Sequence, residues 1–257
     1  EILEYALKFW ENERVVGNIP NFGTIPEQPR YTGDCPHELR AWKLKQKDIK
    51  TANQSNNSKR FQACRIMHLA KIYSKWDQLY FPYRCDYRGR VYALPHYLHP
   101  QGNDLAKSLL DFKRGEQVVD EEDVMSIFVH GANMWGVKGT RDERIEWVGK
   151  RQKFILEAAN DPHGTDWWTD ASDPFCFLRF CLEFKQFTEE GYGYVSYLPV
   201  RQDCSNNGMQ ILSLLLRDKD TGRMCNLVDR DKANDMYAEF ADRVYEELKK
   251  DGGVLAQ

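Results

Sequence analysis

The stretch YVSYLPVRQDCSNNGMQILSLLLRD, residues 194–218, changes character twice. From Tyr194 to Val200 it is rich in aromatic and β-branched residues, and Gly191 and Gly193 precede it, which predicts a strand. The strand runs into Asp203 and the small polar turn Cys204-Ser205-Asn206-Asn207-Gly208. A helix then starts, with Met209, Leu212 and Leu215 on one face. A strand that ends in Asp and feeds a helix presents one carboxylate at a sheet edge. Metal-dependent phosphoryl transfer needs such a rigid carboxylate, because Mg²⁺ prefers oxygen ligands and keeps substrate oxygens in its shell. An Asp ahead of a helix also serves as an N-cap or turn residue, so Asp203 alone carries both readings.

A second stretch lies upstream, FPYRCDYRGRVYALP at 81–95. At its centre is Asp86-Tyr87-Arg88-Gly89-Arg90. Glycine lets a backbone approach a ligand closely. Arg88 and Arg90 offer forked donors that match phosphate geometry. With aromatics on both sides, the segment reads as a small phosphate clamp.

Composition bounds the rest. A chain of 257 residues makes one large domain or two small ones. The net charge of −3 does not advertise a polyanionic partner. Local charge does: from Arg40 to Lys75 there are ten Lys/Arg (40, 43, 45, 47, 50, 59, 60, 65, 71, 75) against the single acid Asp48. That run can track a phosphate backbone or be a solvated helix face. Seven cysteines without a Cys-x-x-Cys pair argue against a disulfide framework and a cysteine zinc site, and fit a reducing cytoplasm. No apolar run reaches membrane-spanning length and no secretory signal is apparent. The first residue is Glu1 rather than Met, as in a processed or trimmed start.

Periodicity predicts an amphipathic helix through Leu3, Ala6, Leu7 and Trp10. An extended Pro/Gly connector follows over 17–37. Two basic helices are expected at 38–54 and 58–79, separated by a turn at Asn53-Gln54-Ser55-Asn56-Asn57. Loop and short strands are expected at 80–98 and a short element at 104–112. Further helices are predicted at 122–134, 140–159, 174–187 and 231–250, the last carrying Met236, Tyr237, Phe240 and Val244 in register. The expected fold class is α+β and mostly helical. The expected divisions are 1–79, 80–190 and 191–257.

Residues 198–218 resemble the first catalytic palm motif of single-subunit, phage-type RNA polymerases, the class shared by phages and mitochondria. The Asp86–Arg90 element resembles the template-contacting loop of the same family. His130-Gly131-Ala132-Asn133, Glu143-Arg144-Ile145, Trp167-Trp168 and Asp173-Pro174-Phe175-Cys176-Phe177-Leu178 follow in family order, and Trp42-Lys43 and the 58–80 region match upstream. The resemblance covers about residues 38–250. It implies a partial right-hand polymerase, an N-terminal helical region plus part of the palm.

The resemblance further implies DNA-templated RNA synthesis from ribonucleoside triphosphates. Asp203 would ligate Mg²⁺ in a two-metal site, assisted by the backbone carbonyl of Cys204, which stands where the family usually has glycine. Arg88, Gly89 and Arg90 would hold template or hybrid phosphates, and Tyr237 would help form the nucleotide pocket. His130, Trp167-Trp168, Tyr237 and the Arg217-Asp218 pair each have a packing or surface reading as well.

The family's second aspartate comes from a His-Asp-Ser hairpin, and its fingers carry Lys-x₇-Tyr-Gly. Neither string occurs in these 257 residues. The expectation is therefore a second polymerase chain that supplies fingers and remaining palm, giving a heterodimer, of the kind some phages encode, in the cytoplasm of an infected host cell. A promoter-recognition accessory protein is a further expected partner. The rival reading is a non-catalytic nucleic-acid-binding accessory subunit of a transcription complex. A DNA polymerase or primase relative is a third.

Overall fold

The computed structural model describes residues 1–201, 206–228 and 234–250. The chain divides into two compact units, one of residues 1–137 and 147–199, the other of 138–146 and 200–257.

Helix α1 (Ile2–Glu11) buries Ile2, Ala6 and Phe9. The connector that follows has no regular structure apart from one bridge between Val16 and Ile19. Helix α2 (Pro36–Tyr73) is continuous over 38 residues, with Pro36 in its first turn, where a missing N–H costs nothing. The sequence predicts a break at 53–57, and the structure has none. Asn53 and Asn56, read as turn formers, spend their side chains on the backbone of the connector.

Strands β1 (Tyr83–Cys85) and β2 (Val91–Ala93) form an antiparallel hairpin. Helix α3 (Asp104–Ser108) and the two-residue strand β3 (Glu116–Gln117) come next. Helix α4 (Glu121–Trp135) starts at Asp120, whose side chain accepts from the Asp123 amide, and ends at Gly136 in the left-handed region. The expected helix over 140–159 is two helices, α5 (Arg141–Gly149) and α6 (Gln152–Asn160), with the Arg151 amide turning back to the Val148 carbonyl at the break. Thr140 and Glu143 cap α5 reciprocally, each side chain accepting from the other's amide. A 3₁₀ turn (Trp167–Asp170) leads into α7 (Pro174–Glu190). Strand β4 (Val195–Ser196) pairs antiparallel with β3. The strand expected over 194–200 is thus shorter, although the Tyr194 and Tyr197 carbonyls still accept from Val118 and Phe112.

In the second unit, α8 (Asn207–Leu216) is followed by α9 (Lys219–Met224) and α10 (Met236–Lys250). Arg217 is the left-handed residue that ends α8, and Asp218 caps α9 through the amides of Asp220 and Thr221. The pair therefore turns the chain from one helix into the next.

Helix α7 is the hub of the first unit. From Pro174 to Phe184 it buries every residue except Arg179, which is itself largely covered. Each neighbour is shaped to fit it. At Gly131 of α4 a Cβ would lie 2.5 Å from the Phe180 ring, so the helices cross where one has no side chain. Asp104 of α3 accepts from the Phe175 and Cys176 amides at 2.9 and 2.8 Å, capping α7 from a distant segment. Burial pushes its carboxyl up to about 6 while the two amides pull it down. Trp168 is fully buried and donates to the Pro162 carbonyl, and Trp167 stacks on Trp135 at 4.5 Å, which places this pair in packing. The α+β, mostly helical class stands.

Replacing Gly131 by Ala should destabilise the first unit by about 1–3 kcal/mol, the usual cost of overpacking a tight core. Denaturant unfolding measures it. A loss below about 0.5 kcal/mol would show that Phe180 yields freely.

Candidate nucleic-acid interface

The hairpin tip is built around one carboxylate. The Asp86 amide donates to the Arg90 carbonyl at 2.8 Å, and the Gly89 amide returns to the Asp86 carbonyl at 3.0 Å. Gly89 has φ +77°, and no atom lies within 4 Å of a Cβ placed there. Glycine is thus required here by the backbone conformation rather than by crowding. Asp86 Oδ1 accepts from the amides of Arg88 and Arg90 at 2.9 and 3.0 Å. Asp86 Oδ2 accepts from Arg88 Nε and Nη2 at 2.9 and 2.7 Å. Desolvation raises the Asp86 carboxyl, but the Arg88 side chain and the two amides outweigh it and hold the group below the usual carboxylate range.

The two arginines therefore do different things. The Arg88 guanidinium closes on Asp86, donates to the Tyr92 hydroxyl at 3.3 Å and lies 5.5 Å from the Tyr87 ring centre. The Arg90 guanidinium makes no hydrogen bond or ion pair among the described residues, although Asp86 acts on it through space. Tyr87, at the apex, is 95% exposed. On the open edge of β2, the Gln101 side chain takes the place of a third strand, accepting from the Ala93 amide at 2.7 Å and donating to the Val91 carbonyl at 2.8 Å. That edge pairing was not foreseen from sequence, where Gln101 sits in an ordinary polar loop.

Nine cations of the basic run lie on α2, and Lys75 follows its end. All ten are exposed except Arg60, which is half-buried. Arg60 donates to the Asn21 and Gly23 carbonyls, so its charge is spent inside the fold.

Asp203 and Cys204 lie outside the described residues. Among the described residues no group of three or more His, Cys, Asp and Glu is placed to hold a metal. The helix after the expected metal motif is in place: α8 begins at Asn207, as the turn through Gly208 predicts. Tyr237 is 72% exposed, so it is not packed into a core among the described residues. It shares an uncovered stripe of α10 with Phe240, Val244 and Tyr245, and α10 buries none of its residues. His130 is buried in α4.

The family model of DNA-dependent RNA polymerase matches residues 117–257. This chain belongs to that family. It is 36% identical to the DNA-directed RNA polymerase of Enterobacteria phage T3 over 94% of its length, and 33% identical to T7 RNA polymerase of Escherichia phage T7 over 88%. The mitochondrial DNA-directed RNA polymerase of Neurospora crassa is 32% identical over 97% of this chain. The likeness is thus to the phage-type class of the family. The matched regions are 27%, 26% and 18% of those relatives, so the chain spans about a quarter or less of their length.

Loss of the Asp86 carboxylate should loosen the tip alone. In Asp86→Ala, exchange of the Arg88 and Arg90 amides should rise about tenfold, the scale of one or two hydrogen bonds, with the α7 amides unchanged. In the parent chain the same bonds should persist at any pH above the ordinary carboxylate value of 3.8 and be lost only as pH falls through the lowered Asp86 value. NMR exchange rates would report both effects. Equal protection in variant and parent would show that the turn holds without Asp86.

Proposed function

We propose that this chain supplies the template-side loop and one metal-binding carboxylate of a phage-type DNA-directed RNA polymerase. The observation that carries this reading is the hairpin tip, a rigid turn presenting one uncommitted arginine, in a chain of that family. In the proposed reaction the RNA 3′-hydroxyl attacks the α-phosphate of an incoming ribonucleotide and pyrophosphate leaves. Bound Mg²⁺ would stabilise the charge on the transferring phosphate. Asp203 and the Cys204 carbonyl are the proposed ligands from this chain. Arg90 holds a template or hybrid phosphate. Arg88 shapes the turn that aims it. Tyr237, on its uncovered helix face, borders the nucleotide pocket once that pocket is complete.

The remaining fingers and palm are proposed to come from a second chain. Two exposed apolar faces support this. On α8, Ile211, Leu212, Leu214, Leu215 and Leu216 are 46–75% exposed, and α10 adds its own stripe. Apolar faces of this extent are ordinarily covered. A protein that guides promoter recognition remains a proposed further partner.

Co-expression with a polypeptide bearing the His-Asp-Ser hairpin and the fingers helix should yield Mg²⁺-dependent RNA synthesis. Full activity of this chain alone would overturn the two-chain proposal. Within the active assembly, Asp203→Asn should cut synthesis by about three orders of magnitude or more, the scale seen when a group acting on the reacting atoms is removed, with assembly intact. Retained activity would favour the accessory-subunit reading instead. Arg90→Ala should reduce the slope of log affinity against log salt by about 1, as for one lost phosphate contact. An unchanged slope would remove Arg90 from that role.

A further inference from the structure

Helix α2 meets the connector along one narrow seam. Between Ala41 and Gln62 every residue is exposed except Trp42, Gln46, Ile49, Asn53, Asn56 and Arg60. Their spacing alternates between four and three, and the same alternation continues into Ala63, Met67 and Ala70, which are buried in the core. A 3.5-residue repeat is the seam of a coiled coil. Here the partner is not a helix. It is the extended chain over 21–31, and the seam reads its backbone.

Asn53 grips Ile25 at both ends, donating to its carbonyl and accepting from its amide, each at 2.9 Å. Gln46 accepts from the Gln28 amide at 3.1 Å, and Trp42 donates to the Pro29 carbonyl at 2.9 Å. Asn56 donates to the Asn21 carbonyl at 2.6 Å, and Arg60 donates to the Asn21 and Gly23 carbonyls at 2.9 and 3.0 Å. Phe22, between those carbonyls, lies under the Arg60 guanidinium and packs against Trp10 of α1 at 4.8 Å, which fixes the start of the segment to the core.

Among the described residues, no other hydrogen bond from outside α2 reaches residues 51–58. The segment Thr51–Ser58 contains Thr51, Asn53, Ser55, Asn56, Asn57 and Ser58, whose side chains compete for backbone groups and favour caps and turns. Before Ala63 the only buried residue of α2 is Gln46. Neither intrinsic propensity nor apolar burial accounts for helix over 51–58.

We propose that segment 21–31 is a splint. Helix α2 is continuous through Thr51–Ser58 only while the seam is occupied, and it breaks there when the segment lifts away. The half of α2 beyond the break, which carries Lys43, Lys45, Lys47 and Lys50, then becomes an arm moving on the embedded half that holds Ala63, Ile66, Met67 and Ala70. The segment thereby sets where this row of exposed lysines stands, whatever anion they meet.

The test turns on a difference in sign. Alanine is a better helix former than asparagine. If propensity governs, Asn53→Ala with Asn56→Ala should slow amide exchange over 51–58. The splint requires the reverse: exchange over 51–58 about tenfold faster or more, with the amides of 63–70 as an unchanged internal reference. Asn57→Ala, an exposed position off the seam, should leave exchange over 51–58 equal or slower. Hydrogen exchange on the full chain, read by mass spectrometry, resolves these segments. Tryptic cleavage after Lys50 and Lys59 should rise in the double variant alone. Equal or slower exchange in the double variant overturns the proposal. So does a rise shared with 63–70, which would mean that the seam supports the core rather than the helix.

Discussion

The burial of α7 is the constraint on which the first unit depends. A helix that hides nearly every residue from Pro174 to Phe184 cannot lie on a surface, so other elements must surround it. Their details follow from that. α4 has to approach closely, and Gly131 allows it. The amides at the start of α7 cannot reach water, and Asp104 takes them. One polar group, Glu183, is buried on the helix itself, and it is answered by Arg179 at 2.8 Å and by the Tyr194 hydroxyl at 2.9 Å. Tyr194 stands at the entrance to β4. The requirement to pair a buried carboxylate thus fixes where the chain enters β4.

Much of this was readable beforehand because burial leaves a period in sequence. α1 has apolar positions at helical spacing and α7 has Pro174 in its first turn, and the limits predicted for α4 and α7, 122–134 and 174–187, fall within a few residues of the observed ones. The largest failure, at 53–57 of α2, has a long-range cause. Asn53 and Asn56 are turn formers by local chemistry, and the chain uses them as long-range ligands for backbone nearly thirty or more residues away in sequence. The signal was present as a polar repeat of alternating threes and fours, but a search for apolar periodicity passes over it. The split between α5 and α6 is the milder case, since Gly149 beside Lys150 and Arg151 ends one helix without disturbing the phase of Val148 and Ile155.

The candidate site shows the same limit at the scale of a single turn. Sequence identifies Asp86, Arg88, Gly89 and Arg90 as a unit and assigns both arginines outward. Geometry separates them. A carboxylate two residues before an arginine is near enough to capture it, and the tight turn made possible by Gly89 brings the two together. What determined the outcome is a ring of hydrogen bonds closed through Asp86 Oδ1 and Oδ2, and residue types alone do not encode which arginine it takes.

That capture decides what the turn offers a polyanion. With Arg88 neutralised by Asp86, the tip carries one uncompensated positive charge, on Arg90. The chain as a whole is acidic, at −3, so no long-range field favours a nucleic acid, and salt screens exposed charges beyond about 8–10 Å in any case. Attraction has to be local. Arg90 offers it at a fixed position and the basic run along α2 offers it too, although the one half-buried member of that run, Arg60, is already spent on the connector. The fold therefore uses Arg88 and Arg60 to build rigid supports, and the support that Arg88 completes presents Arg90.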